Sequence, residues 1–181
     1  SKRVTRAVPD GGPIEAHTDL VKKLDYECEL AVVLGRDARD VPAGQTRDYI
    51  FGYTILNDVS ARDVQTAHKQ WYFGKSLDGF TPIGPCIVTA DAFADYPPRL
   101  GIRSFVNGEK RQDSNTALQI FDIDHVIAEL SQGMTLKAGT IIATGTPAGV
   151  GMGMDPPQFL KPGDVVRCEI DGIGTLTNPV K

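Results

Sequence analysis

The stretch Leu24-Asp25-Tyr26-Glu27-Cys28-Glu29-Leu30-Ala31-Val32-Val33-Leu34 decides how this chain is read. Its second half is an unbroken apolar run with β-branched residues, the pattern of a buried strand. Strand side chains alternate, so Glu27 and Glu29 share one face, with roots about 6.5–7 Å apart, and Cys28 points to the other. Two like charges on a buried face repel and lose hydration, unless one carboxyl keeps its proton. A divalent cation removes both penalties. All-oxygen ligation favours Mg2+, Mn2+ or Ca2+ over zinc, and neither His nor Cys accompanies the pair on that face. A polar stripe on a half-exposed sheet is the alternative that this stretch alone leaves open.

Outward from it, short Val/Ile-rich runs are punctuated by 19 glycines and 12 prolines, which argues for a β-dominated domain with few helices. Strands are expected at residues 26–34, 51–57, 84–89, 101–107, 139–144, 164–170 and 173–178. Asn107-Gly108 and Asp171-Gly172 supply hairpin turns. A helix is expected at 123–132, with Asp122 as its cap, Val126, Ile127 and Leu130 as its apolar stripe and Gly133 at its end. Shorter helices are expected at 44–49 and 61–69. Residues 1–23 lack periodicity and read as an extended arm, leaving 24–181 as a single domain, and upstream residues are expected beyond Ser1.

A net charge of −4 gives no electrostatic case for nucleic acid. The three cysteines, Cys28, Cys86 and Cys168, are scattered and match neither a disulfide framework nor a zinc site, so a reducing compartment is expected. No run approaches the ~20 apolar residues of a membrane span, and no secretory signal is visible, so a cytoplasmic location is expected.

The segment Leu56-Asn57-Asp58-Val59-Ser60-Ala61-Arg62-Asp63-Val64-Gln65 leaves an apolar strand and turns into a short helix. Asp58 at the strand end suits a third oxygen ligand beside Glu27 and Glu29, with a helix cap as the ordinary alternative. Arg62 and Gln65 share a helix face and suit a substrate carboxylate. In Trp71-Tyr72-Phe73-Gly74-Lys75-Ser76, Lys75 reads as a cation near the metal, able to donate to a developing oxyanion. This Gly-Lys-Ser is no phosphate-binding loop, because Lys69 stands where that motif needs its first glycine. Ser76 lacks the closing glycine of a nucleophile elbow. Gly145-Thr146-Pro147-Ala148-Gly149-Val150-Gly151-Met152-Gly153 follows a strand but runs into Asp155-Pro156-Pro157 rather than a helix, so a dinucleotide fingerprint fails. His17, His68 and His125 match no zinc spacing; His68 is expected at a pocket rim.

Five ordered motifs, the two segments around Glu27 and Asp58, Gln70-Trp71 with Gly74-Lys75-Ser76, Val106-Asn107-Gly108-Glu109 and Thr144–Gly151, give the chain a near full-length resemblance to the fumarylacetoacetate hydrolase family. The resemblance implies a mixed, β-rich α+β roll with few short helices and a homodimer. It implies Mg2+ or Mn2+, with Ca2+ as a substitute, held by Glu27, Glu29 and Asp58. Lys75 takes the place of the family's active-site lysine, Arg62 and Gln65 lie near substrate, and Thr146 lies in a loop closing over it. The implied substrates are small 2-oxo or 1,3-dioxo acids. The leading expectation is hydrolysis of a carbon–carbon bond in an acylpyruvate through a metal-bound enolate. Decarboxylation of oxaloacetate, isomerisation of a hydroxy-dienoate and a catalytically silent metal- or acid-binding module are the alternatives. One departure stands out: His17 and Glu15 lie too near the first strand to be equated with the His/Glu pair on the family's lid.

Overall fold

The apolar run ending at Leu34 forms a strand buried along its whole length. A computed structural model describes residues 1–181, apart from the side chain of His68. The expectation for His68 at a pocket rim therefore lies outside the described residues.

In chain order the elements are β1 (Leu24–Asp25), β2 (Cys28–Leu34), β3 (Ile50–Asn57), β4 (Ser60–Ala61), α1 (Arg62–His68), α2 (Tyr72–Lys75) and β5 (Ile83–Thr89). They continue with β6 (Gly101–Val106), β7 (Glu109–Asn115), α3 (Ile123–Leu130), β8 (Ile141–Ala143), β9 (Val165–Ile170) and β10 (Gly174–Pro179). Two antiparallel four-stranded sheets carry the fold, ordered β5-β3-β2-β8 and β10-β9-β6-β7, with β1 and β4 as a short separate pair. The result is a β-rich α+β fold with few short helices.

Alternation along β2 separates core from site. Cys28, Leu30, Val32 and Leu34 join Tyr53 and Ile55 of β3 and Ile102, Val166, Cys168, Ile170 and Leu176 of the second sheet in one hydrophobic cluster. The opposite face of β2 carries Glu29, Ala31 and Val33. Burial of the apolar side chains supplies the bulk of the driving force, about 1.5–3 kcal/mol for each large one removed from water. The N-terminal segment is stitched to the sheets rather than loose. Val8 bridges Pro82, Ile14 bridges Val180, and Ile14 is fully buried.

Several sequence expectations shift by a residue or two, and three differ in kind. β7 was not expected: its sequence, Glu109-Lys110-Arg111-Gln112-Asp113-Ser114-Asn115, is polar throughout, and it forms at the edge of its sheet because the Asn107-Gly108 turn, with both residues at positive φ, folds it back onto β6. The helix expected at 44–49 is a single 3-10 turn, Thr46–Tyr49. The four-residue helix α2 falls where the sequence reading assigns no element. By contrast, α3 begins where Asp122 accepts from the His125 amide at 2.8 Å. Among the described residues no helix is long and apolar enough to cross a membrane.

Candidate active site

Glu27, just before β2, and Glu29, its second residue, present their carboxylates on the face away from the hydrophobic cluster. β3 runs antiparallel to β2 and ends at Asn57, so the next residue, Asp58, arrives beside them; its amide donates to Glu27 O at 2.8 Å. Carboxylate oxygens of Glu27, Glu29 and Asp58 all lie within 4.8 Å of one another, and all three residues are buried. The three carboxylates thus converge as the sequence leads one to expect.

Three cations serve this cluster, but unevenly. Lys75, at the end of α2, donates to Glu27 Oε2 and Asp58 Oδ2, each at 2.6 Å. Lys2 donates to Asp58 Oδ1 at 2.6 Å and also bonds to Phe80 O. Arg62, at the start of α1, donates from Nη1 to Glu27 Oε1 at 2.6 Å. Glu29 receives only the Gly145 amide, at 2.8 Å on Oε2, and makes no ion pair among the described residues. Burial and the neighbouring charges of Asp58 and Glu27 push its carboxyl up to about 8. Burial disfavours the Lys75 charge, yet Asp58 and Glu27 outweigh it and hold the ammonium above its ordinary value. For Lys2 burial prevails, and its amine is lowered. A buried carboxyl with no counter-cation, beside two others on hard oxygen donors, fits a divalent ion.

The glycine-containing segment after β8 runs along this strand and is fastened to it at nearly every step. Besides the Gly145 contact, Thr146 Oγ1 donates to Cys28 O at 3.0 Å, Tyr26 Oη donates to Gly149 O at 2.8 Å, and the Gly151 and Met152 amides donate to Asp25 at 2.7 and 2.9 Å. Gln112 of β7 locks the same place, accepting from Cys28 N and donating to Thr146 Oγ1 and Pro147 O. A side chain is impossible at Gly149, where φ is +106° and a Cβ would lie 2.1 Å from Arg111 O.

A cavity of about 780 Å3 opens onto the triad. Its inner end holds Glu27, Glu29, Asp58, Lys2 and Lys75; Leu130, Ile141 and Ile142 form an apolar flank, and Lys69, Gln70 and Trp71 an outer lip. Thr146 lines it too. Arg62 and Gln65 stand behind this wall: Gln65 Oε1 accepts from Arg62 Nη1 at 3.3 Å, and both residues are buried. His17 is elsewhere, bonded to Asp78 O and edge-on to Phe80.

Two participants were missed in the sequence. Lys2 lies in a segment without periodicity, and nothing local announces where its side chain ends. Asp25 had a signal: with Glu27 and Glu29 it completes a run of three carboxylates at two-residue spacing.

The chain matches the family described as "Fumarylacetoacetate (FAA) hydrolase C-terminal" over residues 1–181. It is 51% identical to a structure of a fumarylacetoacetate hydrolase from psychrophilic Exiguobacterium antarcticum, with a TM-score of 0.94 over 97% of this chain and 62% of that one. A 2-hydroxyhepta-2,4-diene-1,7-dioate isomerase from Mycobacterium marinum is 44% identical, with a TM-score of 0.85 over 96% of this chain and 64% of that one. The oxaloacetate tautomerase YisK of Bacillus subtilis is 48% identical over 170 residues, 94% of this chain and 56% of that protein. The chain thus spans less than two thirds of the length of these relatives. With a family match over its full length and the carboxylate-bearing strands in place, this chain belongs to the fumarylacetoacetate hydrolase family.

Proposed function

We propose that this chain carries the site of a divalent-metal-dependent enzyme that moves a proton within a 2-oxo or 1,3-dioxo acid, interconverting keto and enol or double-bond isomers. The observation that supports it most is the buried triad of Glu27, Glu29 and Asp58 with two lysine ammoniums against it, all lining one cavity. Glu27, Glu29 and Asp58 are the ligands in this reading. Mg2+ or Mn2+ held there would supply Lewis-acid stabilisation of the negative charge on the 2-oxo oxygen while a proton passes from the neighbouring carbon to a water in the cavity and from it back to the other end of the same enol system.

The chain's own residues do the rest. Lys75 stays charged and presents a hydrogen-bond donor to that developing charge in a site sheltered from water, where such a donor counts for most. Lys2 offers a second ammonium on the opposite oxygen of Asp58. Thr146 sits in the wall over the substrate, and Arg62 and Gln65 act from behind it. The apolar flank of Leu130, Ile141 and Ile142 and the lip at Trp71 receive the distal part of the acid. Proton transfer is favoured because two of the relatives are named for it, a tautomerase and an isomerase.

Hydrolysis of an acylpyruvate, the leading expectation from sequence, is the second reading. It uses the same charge stabilisation and adds a water, and the name of the Exiguobacterium relative favours it. A homodimer, a cytoplasmic location and an arm at 1–23 on a domain at 24–181 complete the proposal.

Product analysis separates these reactions. Purified protein with Mg2+ or Mn2+ is given enol-oxaloacetate and a panel of acylpyruvates. Spectral change at constant mass supports isomerisation, release of pyruvate together with the acyl group's carboxylic acid supports hydrolysis, and release of carbon dioxide with pyruvate supports decarboxylation. No reaction with any of them contradicts the enzymatic reading.

A further inference from the structure

Asp25 is fully buried, yet it touches neither the cavity nor the other carboxylates' cation Lys75. Its two oxygens take four donors. Oδ1 accepts from Gly151 N at 2.7 Å and from Tyr26 N at 3.0 Å; Oδ2 accepts from Met152 N at 2.9 Å and from Arg62 Nε at 2.9 Å. Arg62 then spends Nη1 on Glu27 Oε1 at 2.6 Å. Close approach is obligatory at the loop end, because a Cβ on Gly151 would lie 2.8 Å from Asp25 Oδ1 and 2.0 Å from Gln158 O. The far end of the same loop holds Glu29 through Gly145 N.

We propose that Asp25 is a positioning residue that, through the fixed fork of Arg62, couples the 145–153 loop to the carboxylate of Glu27. The planar guanidinium is what makes this coupling stiff. It donates to Asp25 from one nitrogen and to Glu27 from another, so a displacement of Asp25 by the loop amides bound to it re-aims Glu27. The 145–153 loop and the carboxylate of Glu27 are then held as one unit, and Glu27 is oriented before any cation arrives. Outer partners of this kind typically change metal affinity by about 10- to 100-fold when removed.

The inference rests on the metal reading of the triad, and its test keeps the two apart. Mn2+ affinity is measured by electron paramagnetic resonance on wild type, Asp25→Asn, Arg62→Lys and Ile170→Val. Arg62→Lys leaves Asp25 on the loop amides but cannot reach both carboxylates from one planar fork. Ile170→Val is a core change in the other sheet that lowers stability alone. The expected result is a dissociation constant raised about tenfold or more in Asp25→Asn and Arg62→Lys and unchanged in Ile170→Val. If Asp25→Asn does not fold, the charge-neutral pair Asp25→Asn/Arg62→Gln replaces it, with the same expectation. Wild-type affinity in the folded Asp25 variant overturns the coupling and leaves the metal site standing. A wild type that takes up no Mn2+ overturns both.

Discussion

Glu29 and Glu27 lie two residues apart on one face, yet they are neutralised differently: Glu27 takes both Arg62 and Lys75, while among the described residues Glu29 takes only the Gly145 amide at 2.8 Å. The asymmetry predicts a pH dependence. Burial and the charges of Asp58 and Glu27 hold the Glu29 carboxyl at about 8, against 4.5 in the unfolded chain. The folded form therefore binds more protons between those values, and stability of the metal-free protein falls as pH rises through that window. The penalty is absent below about 4.5 and complete above about 8. Thermal melts of metal-free wild type and Glu29→Gln check this, with the slope expected to flatten in the variant. Mn2+ affinity is expected to climb roughly tenfold per pH unit up to about 8, because one proton must leave as the ion binds.

Lys75 bridges Glu27 and Asp58 and occupies charge space that a cation would take. Lys75→Met is expected to lower turnover by about two to four orders of magnitude. Without metal it leaves two buried carboxylates short of a partner, a loss of about 3–5 kcal/mol. Metal is expected to raise the melting temperature more in this variant than in wild type, because the ion replaces the missing ammonium. Calorimetry with and without Mg2+ reads the difference directly, and an equal rise in both proteins contradicts it.

Gly74 lets α2 lie against α1. A Cβ there would come 2.7 Å from Gln65 Cγ and 2.9 Å from Ala61 O. Gly74→Ala is expected to cost about 1–3 kcal/mol through overpacking and to displace the neighbouring Lys75. Denaturant unfolding measures the first effect, and a fall in kcat larger than any rise in KM reports the second.

Trp71 is 66% exposed at the cavity lip and is the single tryptophan of the chain. Trp71→Ala is expected to change stability by no more than about 0.5 kcal/mol. It should raise KM with little change in kcat, the signature of binding shared by ground and transition states. In wild type its fluorescence is expected to respond to a substrate analogue, which gives a binding titration independent of turnover.

The carboxylate pair at 27 and 29 was legible because strand alternation places same-parity residues on one face whatever the rest of the fold does. Asp58 was legible because a strand end is a local feature. β7 was not: with Gln112 its one buried residue, it carries no apolar alternation, and its place depends on the turn before it and the edge beside it. Lys2 was illegible for a different reason. Its position follows from bridges between Val8 and Pro82 and between Ile14 and Val180, pairings that join distant parts of the chain. Arg62 and Gln65 do share a helix face, but they line no part of the cavity, and nothing local announces that Asp25 and Glu27 claim the guanidinium. Local periodicity therefore reveals which carboxylates share a face, while their supporting bonds depend on long-range packing.

The most direct test of the metal reading is the thermal stability of wild type and Glu29→Ala, stripped of metal and then given Mg2+ or Mn2+. An ion that binds only the folded chain stabilises it by about 2.7 kcal/mol at a hundredfold excess over its dissociation constant. For a chain of this size that corresponds to a rise of about 5–10 °C. The account predicts that rise in wild type and its loss in Glu29→Ala. No rise in metal-free wild type, or an equal rise in both proteins, contradicts it.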